Sequence, residues 1–167
     1  MDEKFIYMFQ SQYEASLKML SNCIEVYIDD IWFSEKYNNP AWQIAYHAIF
    51  YTNIYCSPDE KSIVVWDKSL ENYQILGKTP WPPFEKIILK EKYSRQEMLY
   101  FIDFVKTNIP GYLNKLEPDK KCWAFWYDLS QFEFQLNNLR HLQHHTGQLI
   151  ERLDYIEEID YEWLKMK

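Results

Sequence analysis

The segment 130-SQFEFQLNNLRHLQHHTGQLIERL-153 predicts a long amphipathic helix and, with it, the fold class of the chain. Ser130 and Glu133 have the spacing of a capping box, in which each side chain satisfies the other's free backbone amide at a helix start. Four leucines then recur at helical spacing and form one apolar stripe: Leu139, Leu142, Leu149 and Leu153. Gly147 lies inside this helix at a cost of about 1 kcal/mol relative to alanine, so we expect a close backbone contact there.

Three further segments show helical signals. Residues 2–27 place six apolar side chains on one face: Phe5, Phe9, Tyr13, Leu17, Leu20 and Ile24. The pair Asn39-Pro40 combines an N-cap residue with a proline suited to the first helical turn, and it predicts a helix that runs to about Tyr55. Residues 94–97 form a second capping box, and the helix that follows is expected to stop at Pro110-Gly111.

Two long connections between these helices are rich in aromatic residues. The first covers residues 57–93, with Trp81-Pro82-Pro83-Phe84 and a possible short strand at Ile63–Trp66; the second covers residues 113–129. A long loop without secondary structure is typical of a segment that packs aromatic side chains or covers a site. We therefore predict one all-α domain over residues 1–167, an antiparallel four-helix bundle with long aromatic-rich connections.

The composition excludes several classes of protein. The chain has three glycines and no glycine-rich phosphate loop, and its three separated cysteines form neither a disulfide framework nor a four-cysteine zinc site. A net charge of −7 without a basic cluster argues against nucleic-acid and membrane partners. The sequence shows no secretion signal, and no apolar run is long enough to span a bilayer, so we expect a cytoplasmic protein.

The histidines carry the main chemical signal. At 100° per residue, His141 and His145 lie about 40° apart and one turn from each other, a spacing by which two imidazoles can bind one metal ion. His145 is nearest the apolar stripe, whereas His144 points outward and receives no role. His47 lies on the apolar face of the helix that begins after Asn39-Pro40. If the two helices pack side by side, His47, His141 and His145 form a three-histidine site for a divalent ion.

Three neutral imidazoles would leave positions on the ion open for water or substrate, which is typical of catalytic sites. The alternative is that the histidines are core or surface residues without a metal, since H-x-x-x-H pairs are common in helices. The paired E-x-x-H of di-iron bundles and the H-E-x-x-H of metalloproteases are both absent. No serine or cysteine has the sequence surroundings of an activated nucleophile.

Other residues near the histidines give weaker signals. Tyr51 and Asn138 lie on the histidine-bearing faces, where either can hydrogen-bond a metal-bound water or simply pack. Cys56 follows the second helix, and we interpret it as a structural cysteine rather than a partner of the histidines. The tryptophans at positions 81, 123 and 126 are interpreted as hydrophobic filler rather than a ligand cage.

Two stretches together resemble the DinB/YfiT-like superfamily of metal-dependent enzymes: 40-PAWQIAYHAIFY-51 and 141-HLQHHTGQL-149. That family has one histidine in the second helix and H-x-x-x-H-x-G-Q-L in the last helix of a four-helix bundle. The resemblance covers residues 2–153. It implies that His47, His141 and His145 bind a zinc- or nickel-type ion, with water completing the site.

The resemblance also implies a reaction class. Characterised relatives include thiol-dependent S-transferases and a thiol-dependent isomerase, in which the metal activates a low-molecular-weight thiol, and homodimers are frequent. Thr146 is a departure, because many members have arginine at that position. If that arginine binds the carboxylates of a thiol, the departure counts against a thiol-dependent activity.

The sequence thus favours a metal-dependent enzyme, either a hydrolase or a low-molecular-weight-thiol S-transferase. It would act on a small electrophile through a nucleophile activated at the three-histidine site. Substrate is expected to enter from the bundle end near the aromatic connections. The alternative is a non-catalytic, metal-stabilised bundle that serves as a small-molecule binder or an oligomeric module, because the sequence offers no obvious general base beside the histidines. The expected partners are a small molecule and a second copy of the chain.

Overall fold

The structure is a computed structural model that describes residues 2–154, and this part of the chain is mostly helical. It contains five α-helices: α1 (Glu3–Val26), α2 (Asp29–Trp32), α3 (Ala41–Cys56), α4 (Arg95–Leu113) and α5 (Gln131–Asp154). A 3₁₀ turn covers Glu60–Ser62, and residues 2–154 form no strand, only two isolated bridges. The predicted all-α class is confirmed. None of the described helices has an apolar stretch that could cross a membrane.

The two predicted capping boxes start α4 and α5. The hydroxyl of Ser94 accepts from the amide of Glu97 at 3.2 Å, and the carboxylate of Glu97 accepts in return from the amide of Ser94 at 3.0 Å. Ser130 and Glu133 make the same pair of bonds at 3.2 and 2.8 Å. Each box satisfies two amides that a helix start would otherwise leave free, so these two predicted starts are confirmed.

Two predicted features between α3 and the end of α4 are wrong. α4 does not stop at Pro110 but continues for three residues, because its last turn, which includes Tyr112, is buried in the core. Residues 63–66 form no strand. Instead, the carbonyl of Val64 accepts from Nδ2 of Asn53 and its amide donates to the hydroxyl of Tyr112, both at 2.8 Å. Side chains of two helices therefore take the bonds that a strand partner would make.

Gly147 has room for a side chain. The residue is exposed, and a Cβ added at its position would meet no atom within 4 Å. The close backbone contact that we expected there is wrong. Within the described residues, packing gives no reason for a glycine in the middle of α5.

The four long helices pack around one hydrophobic core. α1 contacts α4 and α5, and α3 contacts the same two helices from the other side. The core includes large buried side chains from all four: Tyr13, Leu17, Trp42, Tyr46, Met98, Phe101, Leu142 and Leu149. The short helix α2, which the sequence did not predict, adds Trp32, whose indole N–H donates to the carbonyl of Tyr93 at 2.9 Å.

Bonds between helices fix their directions. The hydroxyls of Tyr13 and Tyr27 donate to Gln135 and Leu149, respectively, so α1 and α5 run parallel. Arg95, at the start of α4, donates to carbonyls at the end of α1, so these two helices are antiparallel.

α3 and α5 are antiparallel, whereas α3 and α4 are parallel. On α5, the side-chain amides of Gln135 and Asn138 donate to backbone carbonyls of α3. Their acceptors, Tyr55 and Thr52, follow in reverse order along α3. The ring of Trp42 lies 5.9 Å from Tyr93, just before α4, so α3 and α4 start at the same end. The predicted antiparallel packing therefore holds for two of the four neighbouring pairs.

The connection 57–94 follows from this arrangement. Because α3 and α4 start at the same end, the chain must travel back along the length of α3 before α4 can begin. Trp66 stacks on Phe101 of α4, with ring centroids 4.3 Å apart and planes 8° apart. Further along, the carbonyl of Ile75 accepts from Nε2 of Gln43 on α3 at 2.9 Å. The expectation that this long loop packs aromatic side chains is confirmed.

Candidate metal centre

The structure brings together three of the four histidines. His47 comes from α3, and His141 and His145 lie one turn apart on α5. The Nε2 atom of His141 is 3.0 Å from Nε2 of His47 and 3.1 Å from Nε2 of His145. Nitrogen atoms of all three rings lie within 4.8 Å of one another, and such a cluster could hold a metal ion.

The register between α3 and α5 sets the heights of these side chains. Side chains of α5 donate to the carbonyls of Thr52 and Tyr55 on α3. One turn further along α5, in the same register, His141 contacts His47. His145 is buried, His47 and His141 are half-buried, and His144 is exposed. This order agrees with the positions that the helical periodicity predicts for the three histidines of α5.

The other ring nitrogen of two histidines is held by an oxygen. Nδ1 of His47 donates to the backbone carbonyl of Gln74 at 2.5 Å, and Nδ1 of His145 donates to Oε1 of Gln148 at 2.8 Å. An oxygen acceptor fixes the proton on Nδ1 and leaves a lone pair on Nε2 of the neutral ring. Metal-binding histidines in proteins are commonly held in this way.

A cation suits the three Nε2 atoms better than a proton. A single proton on Nε2 of His141 would have to serve both neighbouring lone pairs, and Nδ1 of the same ring is buried without a hydrogen-bond partner within the described chain. One divalent ion can accept all three lone pairs. Nitrogens that share a zinc ion at 2.0–2.1 Å lie about 2.9–3.4 Å apart for bond angles of about 90–109°. The observed separations of 3.0 and 3.1 Å fall in this range.

Burial keeps these imidazoles neutral at physiological pH. Loss of solvation lowers the pKa of His47 to about 3 and that of His141 to about 4. Burial also lowers the pKa of His145, although its bond to Gln148 opposes the change. A neutral imidazole is the form that binds a metal ion, so the site is ready to bind without first losing a proton.

An open depression of about 300 Å³ lies beside the histidine cluster. It is lined by His141 and by Tyr127, Asn137, Arg140 and His144. The ring of His141 also lies near that of Tyr51, with ring centroids 5.5 Å apart. The depression therefore gives small molecules access to one member of the cluster. Its Tyr127 belongs to the second aromatic connection.

Two other candidate residues, Asn138 and Cys56, contact each other. Asn138 is buried, and its Nδ2 donates to the carbonyl of Thr52 at 3.1 Å and contacts the sulfur of Cys56 at 3.4 Å. Burial raises the pKa of Cys56 to about 12, so it stays a thiol. Tyr51 remains near the site, because its ring lies 4.7 Å from that of His47. The structural interpretation of Cys56 agrees with this position.

The three tryptophans and Thr146 differ in how far they are buried. Trp123 is partly buried and its indole N–H donates to the carbonyl of Ser57 at 3.1 Å, as expected for packing. Trp81 and Trp126 are about half exposed, so only part of each side chain packs against the protein. Thr146 is buried, and its hydroxyl donates to the carbonyl of Leu142 at 2.8 Å. It supplies no charge, whereas the resemblance noted in the sequence led to an expectation of arginine at this position.

Sequence reasoning missed the two groups that orient the histidines. Gln148 lies three residues after His145, and that spacing on one helix face is a signal that could have identified it. Gln74 acts through its backbone carbonyl, which has no sequence signature. Comparisons of the chain with protein-family models, with curated proteins and with solved structures find no match.

Proposed function

We propose that the chain is a DinB/YfiT-like four-helix bundle whose His47, His141 and His145 bind a divalent ion, zinc or nickel. The bound ion makes it an enzyme, either a hydrolase or a low-molecular-weight-thiol S-transferase, that acts on a small electrophile. The observation that supports this best is that Nε2 of His141 lies 3.0 Å from Nε2 of His47 and 3.1 Å from Nε2 of His145, with two of the rings fixed by oxygen acceptors. The four mutually packed helices support the proposed bundle.

The ligand set suits activation of a nucleophile. When bound, a divalent ion with three neutral ligands keeps its full charge and lowers the pKa of a coordinated water or thiol toward neutrality. The groups that orient His47 and His145 are a peptide carbonyl and a neutral amide, so they add no negative charge. The protein would thus preserve the charge that the reaction needs.

The surroundings suit a small electrophile. The depression beside His141 is open to solvent, and the tyrosine rings at positions 51 and 127 border the site. Reactants would approach the cluster from this side, which is the side of the second aromatic connection. Hydrolysis and thiol transfer need the same activated nucleophile, so the reactant that enters this depression decides between them.

A non-catalytic metal-stabilised bundle is the second candidate. The observation that favours it is that the partners of the two anchored imidazoles are amides, which cannot accept a proton during a reaction. In that case the ion would only tie α3 to α5. The two candidates agree on metal binding and differ on turnover.

The first experiment is elemental analysis of untagged protein purified without chelator. We expect about one zinc or nickel ion per chain, lost in His47→Ala and in His145→Ala. The matched control is His144→Ala, which removes an exposed imidazole from the same turn of α5 and should retain the metal. Absence of metal from the wild type, or retention in all three variants, would refute the site.

The second experiment separates the enzyme from the non-catalytic bundle. The metal-loaded protein is tested for conjugation of several low-molecular-weight thiols to a bromobimane electrophile and for hydrolysis of activated esters. Turnover that is lost on chelation and in His145→Ala would support the enzyme and identify its class. A protein that binds metal, loses thermal stability on chelation and turns over neither substrate set would be a metal-stabilised module.

A further inference from the structure

The middle of α5 differs in charge from the rest of this acidic chain. The chain carries 25 acidic and 18 basic residues, yet between Glu133 and Glu151 its sequence has no acidic residue, one arginine and three histidines. The depression beside the histidine cluster lies on this stretch. No carboxylate lines the depression, and Arg140 brings a positive charge to it. Local charge here therefore favours an anion, against the net charge of the chain.

Within residues 2–154, no acidic partner accounts for the charge of Arg140. Of the three arginines, Arg95 pairs with Asp29 at 3.1 Å, and Arg152 stacks on the ring of Tyr37. Arg140 makes no ion pair within residues 2–154. Its one described bond runs from Nη2 to Oδ1 of Asn137 at 2.8 Å.

That bond orients two sets of hydrogen-bond donors. It places the guanidinium against Asn137, and it uses the oxygen of that amide, so the Nδ2 hydrogens of Asn137 remain as donors. His144 also lines this depression. A guanidinium with an adjacent amide donor matches the two oxygens of a carboxylate.

We propose that Arg140 and Asn137 form a carboxylate subsite beside the three-histidine cluster. One of the two reactants, the nucleophile or the electrophile, therefore carries a carboxylate that this subsite binds, while its reactive end reaches the cluster next to His141. The subsite rests on the proposed function for its role in the reaction, but not for its ability to bind a carboxylate. Arg140 is thus a specificity-determining residue.

Binding is tested first, with benzoate and its neutral analogue benzamide, on the protein as purified. Titrations are followed by NMR on the Asn137 side-chain amide and the Arg140 Nε–H. We expect benzoate to shift both signals and benzamide to shift neither at the same concentration. Arg140→Gln should weaken benzoate binding about ten-fold, the loss of one charge-assisted bond. Lys18→Gln, which removes the same charge from an exposed position on α1, should leave it unchanged.

The variants also show where the carboxylate binds. If benzoate binds the metal instead, His145→Ala will abolish binding and Arg140→Gln will not, which overturns the subsite. Equal binding of benzoate and benzamide overturns it as well. Retention of benzoate discrimination in His145→Ala, together with its loss in Arg140→Gln, supports it.

Turnover assays then identify which reactant carries the carboxylate. Mercaptoacetate is compared with mercaptoacetamide as the thiol, and 4-(bromomethyl)benzoate with its amide as the electrophile. We expect about ten-fold higher kcat/KM for the carboxylate form of one pair, expressed in KM and lost in Arg140→Gln. Turnover without any such preference refutes the subsite and leaves the enzyme proposal intact. If a protein without turnover binds benzoate in preference to benzamide, the subsite is supported and the enzyme proposal is refuted.

Discussion

Gln148 offers a direct test of how the proposed metal site is held. Its Oε1 accepts from Nδ1 of His145 at 2.8 Å, which fixes both the proton and the orientation of that ring. In Gln148→Ala the ring can turn and can move its proton to Nε2, the atom that faces the other histidines. Loss of such a partner typically weakens metal binding 10- to 100-fold, which corresponds to about 1.4–2.7 kcal/mol. We therefore expect a zinc Kd that is higher by this factor.

The variant Gln148→Glu separates orientation from charge. It keeps an oxygen acceptor for His145 and adds a negative charge, so zinc should bind at least as tightly as to the wild type. The same charge opposes deprotonation of a nucleophile on the ion, so any activity should shift to higher pH. Because the side chain at position 148 is exposed and glutamate keeps the bond, Gln148→Glu should fold with stability within about 0.5 kcal/mol of the wild type, whereas Gln148→Ala leaves Nδ1 of the buried His145 without its acceptor and should cost about 1 kcal/mol.

The assay is competition for zinc between the protein and a chromophoric chelator at fixed pH. Gln143→Ala is the matched control, because this glutamine lies on the same helix but contacts Met19 of α1 rather than a histidine. It should keep the wild-type Kd. Wild-type zinc affinity in Gln148→Ala, or equal weakening in Gln148→Ala and Gln148→Glu, would refute the role assigned to this bond.

Three further predictions concern stability. In metal-free protein the folded pKa values of His47 and His141, about 3 and about 4, lie below the unfolded value of 6.5, as does that of His145, so the unfolded chain takes up protons first. Stability present above pH 6.5 should fall by about 1 kcal/mol per pH unit for each of His47 and His141 as the pH drops toward 5, and His145 adds to the loss; urea unfolding at pH 7.5 and 5.5 measures this, and a triple alanine variant with the same loss would contradict it. Gly147→Ala should stabilise the protein by about 1 kcal/mol, because the helix gains propensity and the Cβ meets no atom; unchanged or lower stability in urea would show a hidden constraint. Ser94→Ala should destabilise it by about 1 kcal/mol, because the capping box at α4 is lost; an unchanged thermal midpoint would count against this.

Helix positions could be predicted because their signals are local. Capping boxes at Ser94 and Ser130 depend on residues three apart, and the structure shows their bonds. Helix direction is different, since periodicity is the same whichever way a helix runs. The parallel pairing of α1 with α5 depends on contacts such as Tyr13 with Gln135, 122 residues apart, for which the sequence has no local signal.

The candidate site likewise has a part that the sequence predicts and a part that it does not. One helix fixes the relation between His141 and His145, so their spacing alone predicts that the two rings lie together. His47 reaches the other two histidines only if α3 and α5 pack at matching heights. The sequence alone does not establish that packing. The structure meets that condition through the bonds from α5 to the carbonyls of Thr52 and Tyr55.

The long connection after α3 contributes to the site because of the topology. It must return along α3. The side-chain amide of Gln43 holds it there, because its Nε2 donates to the carbonyls of Tyr73 and Ile75 at 3.4 and 2.9 Å. The carbonyl between them, that of Gln74, meets His47, which lies one helical turn after Gln43. The orientation of one proposed ligand therefore depends on a loop that a minimal bundle would not need. The parallel arrangement of α3 and α4 requires this loop, and the same loop supplies the acceptor that leaves Nε2 of His47 free to bind a metal ion.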